Sequence, residues 1–116
     1  MRPIDAHQSL EFIYTPLFER MGRTLLDDEA MRQVEERLLV DPWAGDLVAA
    51  TGGVRKLRVS LPGRGRRGGA RLVYLYVELR GRIYFLLVYA KNERVELTPG
   101  DKKMLRELVK QLEGGE

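Results

Sequence analysis

The chain has 116 residues, 20 basic and 17 acidic, a formal net charge of +3 at pH 7 and 44% hydrophobic residues. That size and apolar content suit a single domain over residues 1–116, burying roughly two-thirds of its unfolded surface, and exclude long disorder. With no cysteine and His7 as its one histidine, the chain has no disulfide scaffold, no thiolate or polyhistidine metal site and no cysteine nucleophile, so neither metal nor cofactor is expected.

From the N-terminus, Ser9 to Tyr14 alternates Leu10, Phe12 and Tyr14 against Ser9, Glu11 and Ile13 and predicts a strand ended by Thr15-Pro16. Residues 15–25 predict a first helix. Asp27, Asp28 and Glu29 then crowd the start of a second, whose Met31, Val34 and Leu38 follow at helical spacing until Asp41-Pro42. After Trp43-Ala44-Gly45 the period changes to two. Val54 to Leu61 sets Lys56 and Arg58 on one face and Leu57 and Val59 on the other. Pro62 to Gly69 has too many glycines for a regular element and predicts a loop. Arg71 to Leu79 and Arg82 to Ala90 predict two central strands joined by a tight hairpin at Arg80-Gly81-Arg82. Thr98 reads as the N-cap and Pro99 as the first residue of a last helix carrying Met104, Leu105, Leu108, Val109 and Leu112 as its apolar stripe. Strand, helix, helix, three strands, helix implies an α+β domain: a small, mainly antiparallel sheet with helices packed on one face.

The charge is segregated. No acidic residue lies between Asp46 and Glu78, yet Arg55, Lys56, Arg58, Arg64, Arg66, Arg67 and Arg71 do, which is +7 over 31 positions. Arginine's planar fork suits bidentate contacts to phosphate, so a polyanion is the natural partner; a merely solvated basic loop is the plainer alternative. If Val54–Leu61 lies beside Arg71–Leu79, then Lys56, Arg58 and Arg71 converge on one face in a cationic groove. Tyrosines on the same strands offer stacking surfaces, Tyr89 first among them because it ends its strand. Trp43 reads as a lid on the helix pair. Gly63 to Gly69 lacks the Lys-Ser/Thr of a phosphate-binding loop and precedes a strand, so it is not one. No apolar run approaches the ~20 residues that span a bilayer, and Met1 to Leu10 lacks a signal-peptide core, so the expected compartment is the cytoplasm.

Pro42, Ala44-Gly45-Asp46, Gly52-Gly53-Val54-Arg55-Lys56-Leu57-Arg58, Gly63-Arg64-Gly65, Gly68-Gly69-Ala70-Arg71-Leu72-Val73-Tyr74 and Tyr89-Ala90-Lys91-Asn92-Glu93 together resemble one family. It is the RelE/ParE superfamily of toxins from bacterial toxin–antitoxin modules, in its HigB-like, phage-derived-like branch. The resemblance implies a ribosome-dependent, metal-free mRNA endoribonuclease that forms a 2′,3′-cyclic phosphate. Its partners would be the ribosome, mRNA and a cognate antitoxin with a helix-turn-helix. It further implies that Lys56 and Arg58 activate the 2′-hydroxyl or neutralise the phosphate, and that Arg71 stabilises the charge developing there. Asn92 and Thr98 stand where RelE proteins carry an arginine and a tyrosine, which leaves Lys91 or Tyr89 to complete the catalytic set. Arg55, Arg64, Arg66 and Arg67 are the expected RNA-binding residues. The ParE side of the superfamily, which poisons DNA gyrase by protein contact, and a degenerate RNA-binding relative are the alternatives.

Overall fold

A computed structural model of the chain describes residues 10–22, 24–61, 69–92 and 96–114. Its elements are β1 (Glu11–Tyr14), α1 (Pro16–Gly22), α2 (Asp28–Val40), β2 (Asp46–Leu47), β3 (Arg55–Val59), β4 (Ala70–Val77), a short 3₁₀ turn (Glu78–Arg80), β5 (Arg82–Ala90) and α3 (Pro99–Gly114). The strands form one sheet in the order β1-β5-β4-β3-β2, antiparallel except for the parallel pair β1·β5. Among the described residues, no helix is long and apolar enough to cross a membrane.

Local chemistry sets the helix ends. The Asp27 carboxylate accepts a hydrogen bond from the Ala30 amide at 2.9 Å and Asp28 and Glu29 occupy the first turn of α2, so one capped amide and the helix dipole favour a start there. Asp41, which precedes Pro42, is extended (φ −147) and ends the helix. At α3 the Thr98 hydroxyl accepts from the Asp101 amide (3.0 Å) while the Asp101 carboxylate accepts from the Thr98 amide (2.9 Å), a reciprocal cap. The Thr15 hydroxyl accepts from the Phe18 amide (3.2 Å) and donates to the Phe85 carbonyl (2.7 Å), stitching the start of α1 to β5.

The expected α+β class and the order of the long elements hold, and three details differ. The helices do not share one face. Leu57, Val59, Leu72, Tyr74 and Phe85 pack under Phe18, Leu26, Met31, Val34 and Leu38 of the α1–α2 side, whereas Val54, Val73, Leu75, Tyr84 and Leu87 pack under Leu105 and Val109 of α3. The reason lies in the central strands: β4 and β5 are buried at nearly every position, so each presents two apolar faces and both need cover. Secondly, β2 is a further strand, too short at two residues to show alternation in sequence. Thirdly, the β4–β5 connection is longer than a tight hairpin, the 3₁₀ turn being closed by Gly81 at φ +62.

Gly69 sits where β4 begins, at φ +58, and its carbonyl accepts from the Lys91 amide at 2.9 Å. A Cβ there would stand 2.4 Å from the Val59 carbonyl oxygen, pushing β3 from β4. Gly69→Ala is therefore expected to destabilise the fold by about 1–3 kcal/mol in urea titrations. Gly100→Ala, whose added Cβ would meet nothing nearer than the Thr98 hydroxyl at 3.8 Å, is expected to be neutral or stabilising by up to about 1 kcal/mol.

Candidate active site

Residues directly opposite one another in an antiparallel pair project from the same face. Arg58 is opposite Arg71, and Arg71 is opposite Tyr89, so the three make one row across β3, β4 and β5. One step along the strands, about 7 Å away, a second row runs Asp46, Lys56, Val73, Leu87. Lys56, Arg58, Arg71 and Tyr89 thus share the α3 side of the sheet, and α3 covers the end of that face marked by Val54, Val73 and Leu75.

The main chain fixes how close the two arginines come. The Val54 carbonyl accepts from the Val48 amide and the Arg58 carbonyl accepts from the Arg37 guanidinium, so alternate residues of β3 aim their backbone groups at the outer edge. Arg58 and Arg71 are then a non-hydrogen-bonded pair, the narrow kind with Cα atoms about 4.5 Å apart and side chains closest. Burial grades along the row. Tyr89 and Arg71 are each 8% exposed, with Arg71 donating to the Ala70 carbonyl at 3.3 Å, while Arg58 is exposed at the open edge of β3. Among the described residues, neither Lys56 nor Arg58 has an ion-pair partner. Beyond the row, Arg58 helps line a groove of about 320 Å³ between α2 and the β3 edge, with Glu29, Gln33, Arg37 and Ser60.

The other expected site residues are dispersed. Lys91 is half-buried just past β5, held beside Gly69 by its backbone. Arg55 is opposite Tyr74, on the α1–α2 face, and its guanidinium donates to the carbonyls of Trp43 (3.1 Å) and Gly45 (2.8 Å) and lies 5.0 Å from the Trp43 ring centroid. The structure therefore places Arg55 away from the row, bracing a loop. Trp43, in turn, packs edge-on against Tyr76 at 4.7 Å. Arg64, Arg66, Arg67 and His7 lie outside the described residues. Thr98 is the reciprocal cap of α3, and Asn92 is exposed.

The loop braced by Arg55 is also pinned from below. The buried Tyr74 hydroxyl donates to the Pro42 carbonyl (2.8 Å) and accepts from the Gly45 amide (2.9 Å), and a Cβ on Gly45 would meet the Tyr74 ring at 2.9 Å and the Lys56 carbonyl at 3.0 Å. Burial, partly offset by the Gly45 hydrogen bond and the Arg55 charge, raises the phenol above its ordinary value of 10.0. This anchor carries the chain into β2 and so sets Asp46 opposite Lys56.

Residues 13–115 match the family described as RelE toxin of RelE / RelB toxin-antitoxin system. Among solved structures, the fold is similar to that of a free-state double mutant of E. coli toxin RelE. The match has a TM-score of 0.52 at 14% identity and covers 74% of this chain and 87% of that one.

Tyr74→Phe removes a hydroxyl that satisfies two buried backbone groups and is expected to cost about 1–3 kcal/mol. The raised phenol also fixes a pH dependence. Tyr74 contributes its stabilisation fully below pH 10.0, the ordinary phenol value, and loses it as pH rises above that, because the unfolded chain ionises first. Urea titrations from pH 8 to 11 are expected to show less alkaline loss in Tyr74→Phe than in the parent.

Proposed function

Because the chain belongs to the RelE toxin family of toxin–antitoxin systems, we propose that it is the toxin of its module and a ribosome-dependent mRNA endoribonuclease that inhibits translation in the cytoplasm. The observation that carries this reading is the Arg58–Arg71 pair. Like charges directly opposite each other weaken a sheet, and here they sit in the closest kind of cross-strand position with Lys56 one step away. An anion bridging the pair offsets that repulsion, and a phosphodiester matches the two guanidinium forks. The 52–74 block resembles that of the HigB-like branch, which is the branch proposed, and a cognate antitoxin follows from the family.

In this reading the ribose 2′-hydroxyl attacks the adjacent phosphorus, the bond to O5′ breaks, and a 2′,3′-cyclic phosphate forms without a metal ion. Arg58 and Arg71 hold the non-bridging oxygens as their charge grows, an electrostatic contribution larger in the half-buried row than it would be in water. Lys56 neutralises the ribose side of the phosphate. Tyr89 and Lys91, toward the β5 end, are the donors for the departing O5′. Arg64, Arg66 and Arg67 would grip the RNA backbone, a role for which Arg55, on the other face, is not proposed.

Purified protein is expected to cut mRNA on programmed ribosomes, within the A-site codon and in the presence of a chelator. Lys56→Ala, Arg58→Ala and Arg71→Ala are each expected to slow cutting by ~10²–10³-fold. Circular dichroism would confirm that the variants fold; Arg58→Ala, at an exposed position, serves as the variant least able to disturb the core. Failure of the folded parent protein to cut would overturn the nuclease reading, and inhibition of DNA gyrase supercoiling would then identify a ParE-like toxin.

A further inference from the structure

The cleavage proposed above, on which this inference rests, needs a group to accept the 2′-hydroxyl proton. Every residue so far placed at the site is a cation that holds its proton at neutral pH, or a phenol. The sheet offers few alternatives. Among the residues of its five strands only Glu11 and Asp46 carry carboxylates. Glu11 is at the far edge, in β1, ion-paired to Arg82 (3.2 Å). Asp46 is in β2, directly opposite Lys56.

Two observations independently fix the face on which Asp46 lies. The preceding Gly45 turns toward the Tyr74 ring, on the α1–α2 side, and Val48 packs into the apolar cluster under α3. Alternation then puts Asp46 with Val48, on the side of Lys56, Arg58 and Arg71. Its Cβ lies about 5 Å from that of Lys56. A phosphate held between Arg58 and Arg71 leaves the ribose that bears the attacking hydroxyl one strand-step, about 7 Å, along toward Lys56 and Asp46.

The geometry points to Asp46 as the general base of the proposed reaction. The proton moves from the 2′-oxygen to the Asp46 carboxylate, the O2′–phosphorus bond forms, the phosphorus–O5′ bond breaks, and O5′ takes a proton from a donor at the Tyr89–Lys91 end. Lys56, opposite Asp46, faces a non-bridging oxygen. Among the described residues, Lys56 and Arg58 from β3, Arg71 from β4, and Arg106 from α3, whose guanidinium donates to the Ala50 carbonyl at 2.8 Å, lie toward this end of the sheet.

This assignment separates a carboxylate base from a lysine base by the pH dependence of single-turnover cutting on programmed ribosomes. With a carboxylate as base, the parent rate is expected to be flat between pH 6 and 8, a range that lies above the ordinary carboxylate values. Asp46→Asn, isosteric and exposed, is expected to melt with the parent and cut at least ~100-fold more slowly at pH 7. Its rate should then rise about tenfold per pH unit as hydroxide takes over proton removal. Asp46→Glu is expected to recover part of the loss. A substrate with sulfur in place of the 5′-bridging oxygen, which leaves without a proton donor, is expected to leave the Asp46→Asn defect in place. A parent rate that rises tenfold per pH unit, paralleled by Asp46→Asn within a few-fold, would overturn the assignment, as would restoration of Asp46→Asn by the sulfur substrate. A parent that cuts nothing would instead overturn the nuclease reading and this assignment with it.

Discussion

The register between β3, β4 and β5 decides most of what this protein presents to a ligand. A strand displaced by one residue exchanges its two faces. In β3 that would bury Lys56 and Arg58 under α1 and α2 and expose Leu57 and Val59. The two apolar layers forbid it, since Leu57 and Leu72 are each almost fully buried on one side while Val54 and Val73 are so on the other. Hydrophobic packing on both faces therefore holds Lys56, Arg58, Arg71 and Tyr89 on one side of the sheet. The bracing of Gly45 by Tyr74 and Arg55 extends the same control outward to β2, fixing which side of the sheet Asp46 occupies.

That arrangement sets stability against binding. A sheet optimised for stability alone would not oppose two arginines at its narrowest kind of pair. The surrounding structure carries the cost. β4 and β5 form a doubly covered centre, Gly69 lets β3 and β4 close at the site's margin, and the Arg37 guanidinium occupies a carbonyl on the β3 edge that another chain would otherwise pair with. The fold is shared with the RelE toxin, and the row of cations is where the proposed phosphate chemistry would find its groups.

Much of this was legible in the sequence because period and punctuation are local. Asp27 and Thr98 announce helix starts through short-range hydrogen bonds, and the alternation from Val54 to Leu61 separates Lys56 and Arg58 from Leu57 and Val59 without any knowledge of neighbours. The same alternation could have withdrawn Arg55 from the basic group, since it shares parity with Leu57; charge counting hid that. β2 left no signal, because two residues cannot show a period and its pairing is set by the Tyr74 hydroxyl, 29 residues away from Gly45. Asp46 went unassigned for the same reason. The placing of α3 on the second face was also unreadable locally, since an apolar stripe states that a helix is covered and not by which side of a sheet. Thr98 shows the converse case: its role as a cap is visible in sequence, and the cap occupies it fully.

The parallel pairing of β1 with β5 has a consequence for assembly on the translating ribosome. Residues 11–14 find their partners at residues 82–85, and Thr15 bonds to Phe85 across 70 positions. The first strand to emerge thus waits for the last one before the sheet can be completed, a pattern of distant contacts that slows folding. The β3–β4–β5 meander is far more local and can form first, but its α1–α2 face stays uncovered until α1 is anchored by Phe85. A chain arrested anywhere before β5 lacks Tyr89 and half of its centre, so the proposed cutting site is incomplete until the last strand has emerged.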